Sequence, residues 1–149
     1  MFSGFSKHTL HVNGVDIACR TKGSGPALLL LHGHPQTHVI WHKVAPTLAE
    51  HFTVVAADLR GYGDSGRPPA DEQHSNYSKR SMAADAHELM AALGHPRYCV
   101  LAHDRGAIAW RRTTHKRCNV WCCWISRQPW RCTGKPMRRS PAPTGTGFS

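Results

Sequence analysis

The sequence predicts an α/β fold in which an antiparallel hairpin leads into a doubly wound, mostly parallel sheet. Residues 8–12 and 15–20 flank Asn13-Gly14, which is the strongest short-range signal for a β-hairpin. Residues 27–31 form a continuous apolar run, as expected for a parallel strand covered on both faces. Beyond them, apolar runs alternate with helical patterns as far as residue 103, and this alternation indicates parallel strands joined by crossover helices.

The remaining elements follow in a regular order. They are a loop over residues 32–35, a helix over 39–51, a strand over 52–57, a turn-rich loop over 58–69, a helix over 78–93 and a strand over 98–103. Pro46 lies inside the first of these helices, where it disfavours a regular turn. Ser78 is a suitable N-cap for the second helix, and Gly94 with Pro96 ends it.

A small-x-Asp-x-small pattern follows the last predicted strand. Ala102, Asp104 and Gly106 form this pattern, which matches a nucleophile elbow with Asp where esterases carry Ser. The flanking residues must be small because the backbones pack closely at such a turn. A carboxylate presented there is a nucleophile that forms a covalent ester, so the pattern points to substitution at carbon. The loops that begin at His32 and Asp58 are expected at the same edge, where strands of such sheets end and ligands bind.

The charge of the chain is unevenly distributed. Residues 1–104 hold nine Lys or Arg and nine Asp or Glu, whereas residues 105–149 hold the other ten basic residues and no Asp or Glu. The net charge of +10 therefore belongs to the last 45 residues, which also carry four of the six Cys and four of the five Trp. This change of composition predicts an ordered region over residues 1–107 and a basic, Cys- and Trp-rich tail over residues 108–149 that we expect to be disordered.

The composition of the tail allows two functional interpretations. Interleaved Arg and Trp side chains are compatible with a nucleic-acid-binding segment over residues 105–149. A metal module would draw on residues 115, 118, 122, 123 and 132, which are one His and four Cys. These residues contain no Cys-x-x-Cys pair, and the histidines of residues 32–42 have no Cys or carboxylate at ligand spacing, so no metal site is expected.

A third interpretation is that the tail is translated out of frame. Trp has the codon TGG, Cys is TGT or TGC, and Ile begins with AT. The segment Trp121-Cys122-Cys123-Trp124-Ile125, read from the third base of each codon, must therefore give Val-Leu-Leu-Asp. No choice of codons changes this result. The shifted frame supplies the apolar strand and terminal acid that we do not expect from the frame as written, so we favour a frame break between codons 105 and 120.

Three stretches of the chain carry a resemblance to a known family. They are His32-Gly33-His34-Pro35-Gln36-Thr37-His38, Asp58-Leu59-Arg60-Gly61-Tyr62-Gly63-Asp64-Ser65 and His103-Asp104-Arg105-Gly106-Ala107. Over residues 1–107 the chain resembles the α/β-hydrolase superfamily and, within it, the haloacetate (fluoroacetate) dehalogenases. The Pro-Gln-Thr-His and His-Asp-Arg-Gly stretches narrow the resemblance to that group. It implies the N-terminal part of an α/β-hydrolase fold, which we expect to be incomplete.

The resemblance also implies a mechanism. In the family, an Asp carboxylate displaces halide from carbon, and a His-activated water then cleaves the ester. The resemblance assigns the nucleophile to Asp104 and binding of the substrate carboxylate to Arg105, whose guanidinium fork suits a planar carboxylate. A second family arginine is expected three residues later, where this chain has Ile108. The backbone N–H groups of His34 and Arg105 are implied to form the oxyanion hole, and no cofactor is implied.

Three other polar residues near the predicted site are assigned structural roles. Asp58 and Asp64 lie in turn-rich sequence, where Asp side chains commonly bond to the nearby backbone. His103, beside the predicted nucleophile, is expected to be a packing residue and not the catalytic base.

The predicted partner is a small-molecule haloacid and not a nucleic acid, and the intact enzyme is expected to form a homodimer. An epoxide hydrolase or a haloalkane dehalogenase is the alternative within the same fold, and a basic nucleic-acid-binding protein acting through residues 105–149 is the alternative of another class. Residues 1–11 have no apolar core and no apolar run approaches membrane-spanning length, so we expect a cytoplasmic protein that binds no membrane. The base His, the second acid and the halide-binding residues of the family are not found in this frame, so we expect the chain as written to be inactive.

Overall fold

The computed structural model describes residues 1–106 and the backbone of residues 122–125, which form a mixed six-stranded sheet. The strands are β1 (Ser6–Val12), β2 (Val15–Lys22), β3 (Ala27–Leu31), β4 (Thr53–Ala57), β5 (Cys99–His103) and β6 (Cys122–Ile125). Their order across the sheet is β1-β2-β4-β3-β5-β6. β2 pairs antiparallel with β1 and with β4, and the other neighbouring pairs are parallel. The predicted α/β fold, with a hairpin leading into a mostly parallel sheet, is confirmed.

Within residues 1–103, two α-helices, α1 (Ala45–Leu48) and α2 (Lys79–Ala92), and two short 3₁₀ helices, His38–Trp41 and Ser75–Tyr77, connect the strands. The predicted start of α2 is confirmed, because the Ser78 side chain accepts a hydrogen bond from the backbone N–H of Ser81. The predicted end is confirmed as well. Gly94 has a φ of 81°, in the left-handed region that glycine adopts without strain, and the chain leaves the helix there.

The single helix predicted over residues 39–51 is wrong. The structure has the 3₁₀ turn His38–Trp41 and, after a break, the separate helix α1. Pro46 lies in the first turn of α1, where its missing N–H leaves no helical hydrogen bond unmade. The same ring clashes with the carbonyl of a preceding helical turn, so the helix cannot extend backwards through it.

The central strand β3 is buried along its whole length. Leu29 and Leu31 pack toward α2 on one face of the sheet, while Leu28 and Leu30 pack toward Trp41 on the other. All five residues of β3 are buried, and Leu29 and Leu30 have no exposed surface at all. The predicted parallel strand covered on both faces is confirmed, and the sheet has apolar layers on each side.

Strand β6 is the part of the tail whose backbone the structure describes. It pairs parallel with β5, in a register that runs from Val100 opposite Cys122 to His103 opposite Ile125. A strand is thus present here in the frame as written, contrary to our expectation. The physical reason is that Cys, Trp and Ile are apolar residues compatible with a pleated, paired strand.

The other predictions for the tail, namely its disorder, the metal module and the nucleic-acid-binding segment, rest on residues 107–121 and 126–149, which lie outside the described residues. Among residues 1–106, none of the helices combines the length and the hydropathy needed to cross a bilayer.

We predict that Leu30→Ala strongly destabilises the fold. Leu30 is fully buried in the central strand, and truncation there removes apolar contacts and leaves a cavity, at a cost of about 2–5 kcal/mol. Urea unfolding followed by circular dichroism measures the change. Val44→Ala is the control, since Val44 is 45% exposed and its truncation is expected to change stability by less than about 0.5 kcal/mol. Equal losses in the two variants would contradict the placement of β3.

Candidate active site

Asp104 lies in a sharp turn between β5 and the start of a helix. β5 ends at His103, Asp104 occupies the turn, and helical backbone begins at Arg105. Asp104 has a φ of 48°, in the left-handed region of backbone conformation that residues other than glycine adopt with strain. The structure therefore has the strand, turn and helix that the sequence pattern predicts for a nucleophile elbow.

The turn is packed so closely against the end of β3 that the residues at positions 33 and 106 must lack a side chain. A Cβ added to Gly33 would lie 2.6 Å from Cβ and 2.8 Å from Oδ2 of Asp104. A Cβ added to Gly106 would lie 2.8 Å from both the carbonyl oxygen of His32 and Cβ of Leu31. Neither approach is possible without a shift of the backbone, so the end of β3 and the elbow fit together only with glycine at both positions.

The Asp104 carboxylate faces the two backbone groups predicted to form an oxyanion hole. Its Oδ2 accepts a hydrogen bond from the backbone N–H of His34 at 3.0 Å. That hydrogen bond is the main reason why the pKa of Asp104 is lowered; burial opposes it, and the backbone N–H of Arg105 adds to it. The carboxylate is thus held ionised, as a nucleophile must be.

Two other residues singled out in the sequence, His103 and Arg105, directly precede and follow Asp104. The Arg105 side chain is exposed beside it. His103 is half-buried, and its Nδ1–H donates to Oε1 of Gln36 at 3.2 Å, which links the residue before Asp104 to the loop after β3. Ile108, at the position of the expected second arginine, lies outside the described residues.

Asp58 lies at the centre of a buried hydrogen-bond network that was not predicted from the sequence. Asp58 is 1% exposed, and its Oδ1 accepts both the backbone N–H of His38 at 2.6 Å and the Nδ1–H of the same residue at 2.9 Å. Its Oδ2 accepts the backbone N–H of Asp64 at 3.0 Å. Burial raises the pKa of Asp58, but these hydrogen bonds outweigh it and hold the pKa below its usual value. The turn-rich composition indicated a structural role for Asp58, and nothing in the sequence linked it to His38.

The ring of His32 is buried beside this network. Its Nε2 accepts the backbone N–H of Leu59 at 3.0 Å, and its Nδ1–H donates to the carbonyl of Gly33 at 2.8 Å. The ring is therefore neutral, and burial lowers its pKa despite the nearby carboxylate. Among residues 1–106, no group of three or more His, Cys, Asp or Glu is placed to hold a metal ion.

A second buried network, also missed, joins the hairpin to α2. The guanidinium of Arg60 makes a two-point ion pair with the carboxylate of Asp85 on α2, with Nε at 2.6 Å from Oδ2. The Asn13 side chain donates to the same carboxylate at 2.8 Å, and the Asn13 backbone N–H donates to Glu88 at 2.6 Å. The loop that begins at Asp58 is thus fixed to the hairpin and to α2 as well as to the site.

The fold and the elbow geometry agree with a comparison with known families. Residues 26–111, more than half of the chain, match the family model of the α/β hydrolase fold. The chain belongs to the α/β hydrolase fold family. The resemblance drawn from the three motifs is therefore confirmed at this level.

The chain is similar to proteins of more than one named activity. Fluoroacetate dehalogenase of Burkholderia sp. is 52% identical over 116 residues, which are 78% of this chain and 37% of that protein. The soluble epoxide hydrolase of Corynebacterium sp. strain C12 is 43% identical over 106 residues, which are 71% of this chain and 35% of that protein.

A solved structure supports the same conclusion. An α/β hydrolase candidate from Nostoc sp. PCC 7120 superposes with a TM-score of 0.74 at 52% identity, over 76% of this chain and 39% of that chain. The chain spans little more than a third of the length of the curated relatives that it matches.

We predict that acid destabilises this α/β hydrolase in two stages. The folded-state pKa of His32 lies below its ordinary value of 6.5. As the pH drops below about 6.5, the unfolded chain therefore binds a proton at His32 before the folded chain does, and the free energy of unfolding falls. The folded-state pKa of Asp58 lies below 3.8, so its contribution is present above that value and is lost as the pH falls further.

Urea midpoints measured between pH 8 and pH 3 test this dependence. His32→Gln keeps an acceptor for Leu59 and removes the titrating ring, so the fall between pH 7 and pH 5 should become shallower. His51→Asn, on an exposed histidine, should keep the slope of the unaltered protein. If the two variants have the same slope, His32 is not the group responsible.

Proposed function

We propose that the intact enzyme is a hydrolase of the haloacetate dehalogenase type, which replaces halide by hydroxyl on a 2-haloacid. The observation that carries this proposal is the ionised Asp104 carboxylate on an elbow, with Oδ2 held by the His34 N–H at 3.0 Å. The similarity to the fluoroacetate dehalogenase, at 52% identity, supports the choice of substrate class.

The geometry supports a two-step reaction. Oδ1 of Asp104 attacks the carbon that bears the halogen, the carbon–halogen bond breaks, and halide leaves with the electron pair. Oδ2 then becomes the carbonyl oxygen of an ester and already accepts the N–H of His34, and the N–H of Arg105 also donates to this carboxylate. A water molecule attacks the ester carbonyl and gives a proton to the base His that the resemblance implies for the intact enzyme, while those N–H groups stabilise the developing oxyanion. That proton passes to the alkoxide oxygen as the ester C–O bond breaks, the 2-hydroxy acid leaves, and the Asp104 carboxyl loses its remaining proton to solvent.

Arg105 is proposed to bind the carboxylate of the substrate. It follows the nucleophile directly, and its side chain is exposed, so a haloacid held by it would have its halogen-bearing carbon close to Asp104. A guanidinium binds a carboxylate in a planar two-point geometry, which limits the rotation of the substrate about the reacting carbon.

An epoxide hydrolase is the second candidate. The 43% identity with the soluble epoxide hydrolase supports it, and the same carboxylate attack that expels halide also opens an epoxide ring. The two activities differ in their need for a cation that holds a substrate carboxylate, and Arg105 beside the nucleophile favours the acidic substrate.

We propose that the chain as written carries a frame break and does not complete this reaction. The segment that yields Val-Leu-Leu-Asp in the shifted frame coincides with β6, whose last residue, Ile125, pairs with His103. The encoded Asp would then lie at the end of the strand that pairs with β5, the strand that leads into Asp104. Cytoplasmic location and homodimer formation remain proposals from the sequence and the resemblance alone.

We predict that a frame-restored enzyme releases halide from a haloacetate and that Asp104→Asn abolishes this release, because an amide lacks the anionic oxygen that attacks carbon. A halide electrode measures the rate. Asp71→Asn is the control, since Asp71 is an exposed loop residue that binds Ser75 and Asn76, and it should keep the activity. Halide release at an unchanged rate in Asp104→Asn would rule out the nucleophile assignment, and ring opening of an epoxide without halide release would favour the second candidate.

We predict that resequencing of the source DNA across codons 105 to 120 finds one more nucleotide than this frame contains, or two fewer. Such a change is what shifts Trp121 to Ile125 into the Val-Leu-Leu-Asp frame. An uninterrupted frame through Ser149, together with a folded and soluble 149-residue product, would contradict the frame break.

A further inference from the structure

The loop that carries His34 is fastened at both ends to one dipeptide, Asp58-Leu59. At the start of the loop, the His32 ring accepts the backbone N–H of Leu59 at 3.0 Å. At its end, His38 donates its backbone N–H and its ring Nδ1–H to the Asp58 carboxylate, at 2.6 Å and 2.9 Å. His34 lies between these two attachments, and its own N–H points at the nucleophile.

The Asp58 carboxylate itself has little freedom to move. Its second oxygen accepts the backbone N–H of Asp64 at 3.0 Å. A Cβ added to Gly63 would lie 2.2 Å from this oxygen, so the chain passes directly against it. A buried carboxylate that is bonded on both oxygens and enclosed in this way is held in place, since any movement would leave a charged oxygen without donors.

This enclosure argues against a direct chemical role for Asp58. Both of its oxygens are occupied by protein donors, and the side chain has no exposed surface from which to reach a substrate. Its connection to the reaction runs through the loop to His34 and from there to Asp104.

We propose that Asp58 is a positioning residue, which fixes the His34 N–H against Oδ2 of Asp104 and so sets the geometry of the oxyanion hole. The importance of that hole for ester hydrolysis rests on the proposed function. The positioning is a property of the resting protein and is testable without turnover.

The test uses Asp58→Asn in the 149-residue chain. Asn has nearly the same shape, but its NH₂ group must face either Asp64 or His38, both of which are donors, so at least one hydrogen bond is lost. The readouts are the titration of the Asp104 carboxyl by carbon NMR and the exchange rate of the His34 amide hydrogen. Both report on the hydrogen bond between these two residues.

The expected direction separates positioning from simple electrostatics. Loss of the Asp58 charge cannot by itself raise the pKa of Asp104, because removal of an anion can only lower the pKa of another carboxyl group. Loss of the His34 hydrogen bond raises that pKa, since this bond is the main cause of its depression. The groups whose fields reach Asp104, namely Lys79, His103 and Arg105, stay in place. We expect the pKa of Asp104 to rise and the His34 amide to exchange roughly tenfold faster, as for the loss of a hydrogen bond to a charged group.

Asp85→Asn is the matched control. Asp85 is also a buried carboxylate with several donors, but its hydrogen-bond partners are Arg60 and Asn13, neither of which lies in the loop that carries His34. It should lower the free energy of unfolding and leave both readouts as they are in the unaltered chain.

A pair of His38 variants decides the question if Asp58→Asn does not fold. His38→Ala removes the ring donor to Asp58, and we expect it to shift both readouts in the same direction by a smaller amount. His38→Asn keeps a side-chain N–H near the place of Nδ1 and should restore them. Unchanged readouts in Asp58→Asn or in His38→Ala would overturn the proposal, as would an equal shift in Asp85→Asn. A frame-restored enzyme that fails to release halide would contradict the proposed function and leave these readouts as they are.

Discussion

The hydrogen bond from the His34 backbone N–H to Oδ2 of Asp104, 3.0 Å long, joins the loops that follow β3 and β5. It requires the two strands to be adjacent and parallel, so that their carboxyl ends meet, and the sheet provides this pairing along Leu28 to Leu31. It also requires glycine at position 33, because any Cβ there would collide with the Asp104 side chain. Strand order, apolar packing and the choice of small residues are therefore constraints that converge on this contact.

Neutral dipoles rather than a buried cation hold the Asp104 carboxylate. Backbone N–H groups do not titrate near neutral pH, so the main cause of the lowered pKa of Asp104 is independent of pH, and the charges of His103 and Arg105 add to it. Donors fixed before the reaction need no reorganisation when charge develops on the ester oxygen. Arg105 is exposed, so under the proposed function its guanidinium is available to a substrate anion.

Much of the fold was predictable because it depends on local chemistry. The turn at Asn13, the N-cap at Ser78 and the elbow at Asp104 follow from short patterns, and the structure has each of them at the expected place. The helix over residues 39–51 failed because hydrophobic spacing was given more weight than the steric effect of Pro46. The contact between Asp58 and His38 spans 20 residues and that between Asn13 and Asp85 spans 72, and no single-sequence pattern pairs side chains over such distances.

The pairing of β6 with β5 is compatible with a frame break that removes an Asp carboxylate but leaves β6 able to form. Pairing depends on backbone hydrogen bonds and on apolar residues, and both frames encode such residues here, Cys-Cys-Trp in one and Val-Leu-Leu in the other. A carboxylate has no such substitute: residues 105–149 contain no Asp or Glu, whereas the shifted frame places an Asp codon across Trp124 and Ile125. Under the proposed frame break, the strand beside β5 would therefore be retained, whereas the Asp that the proposed reaction needs would be lost.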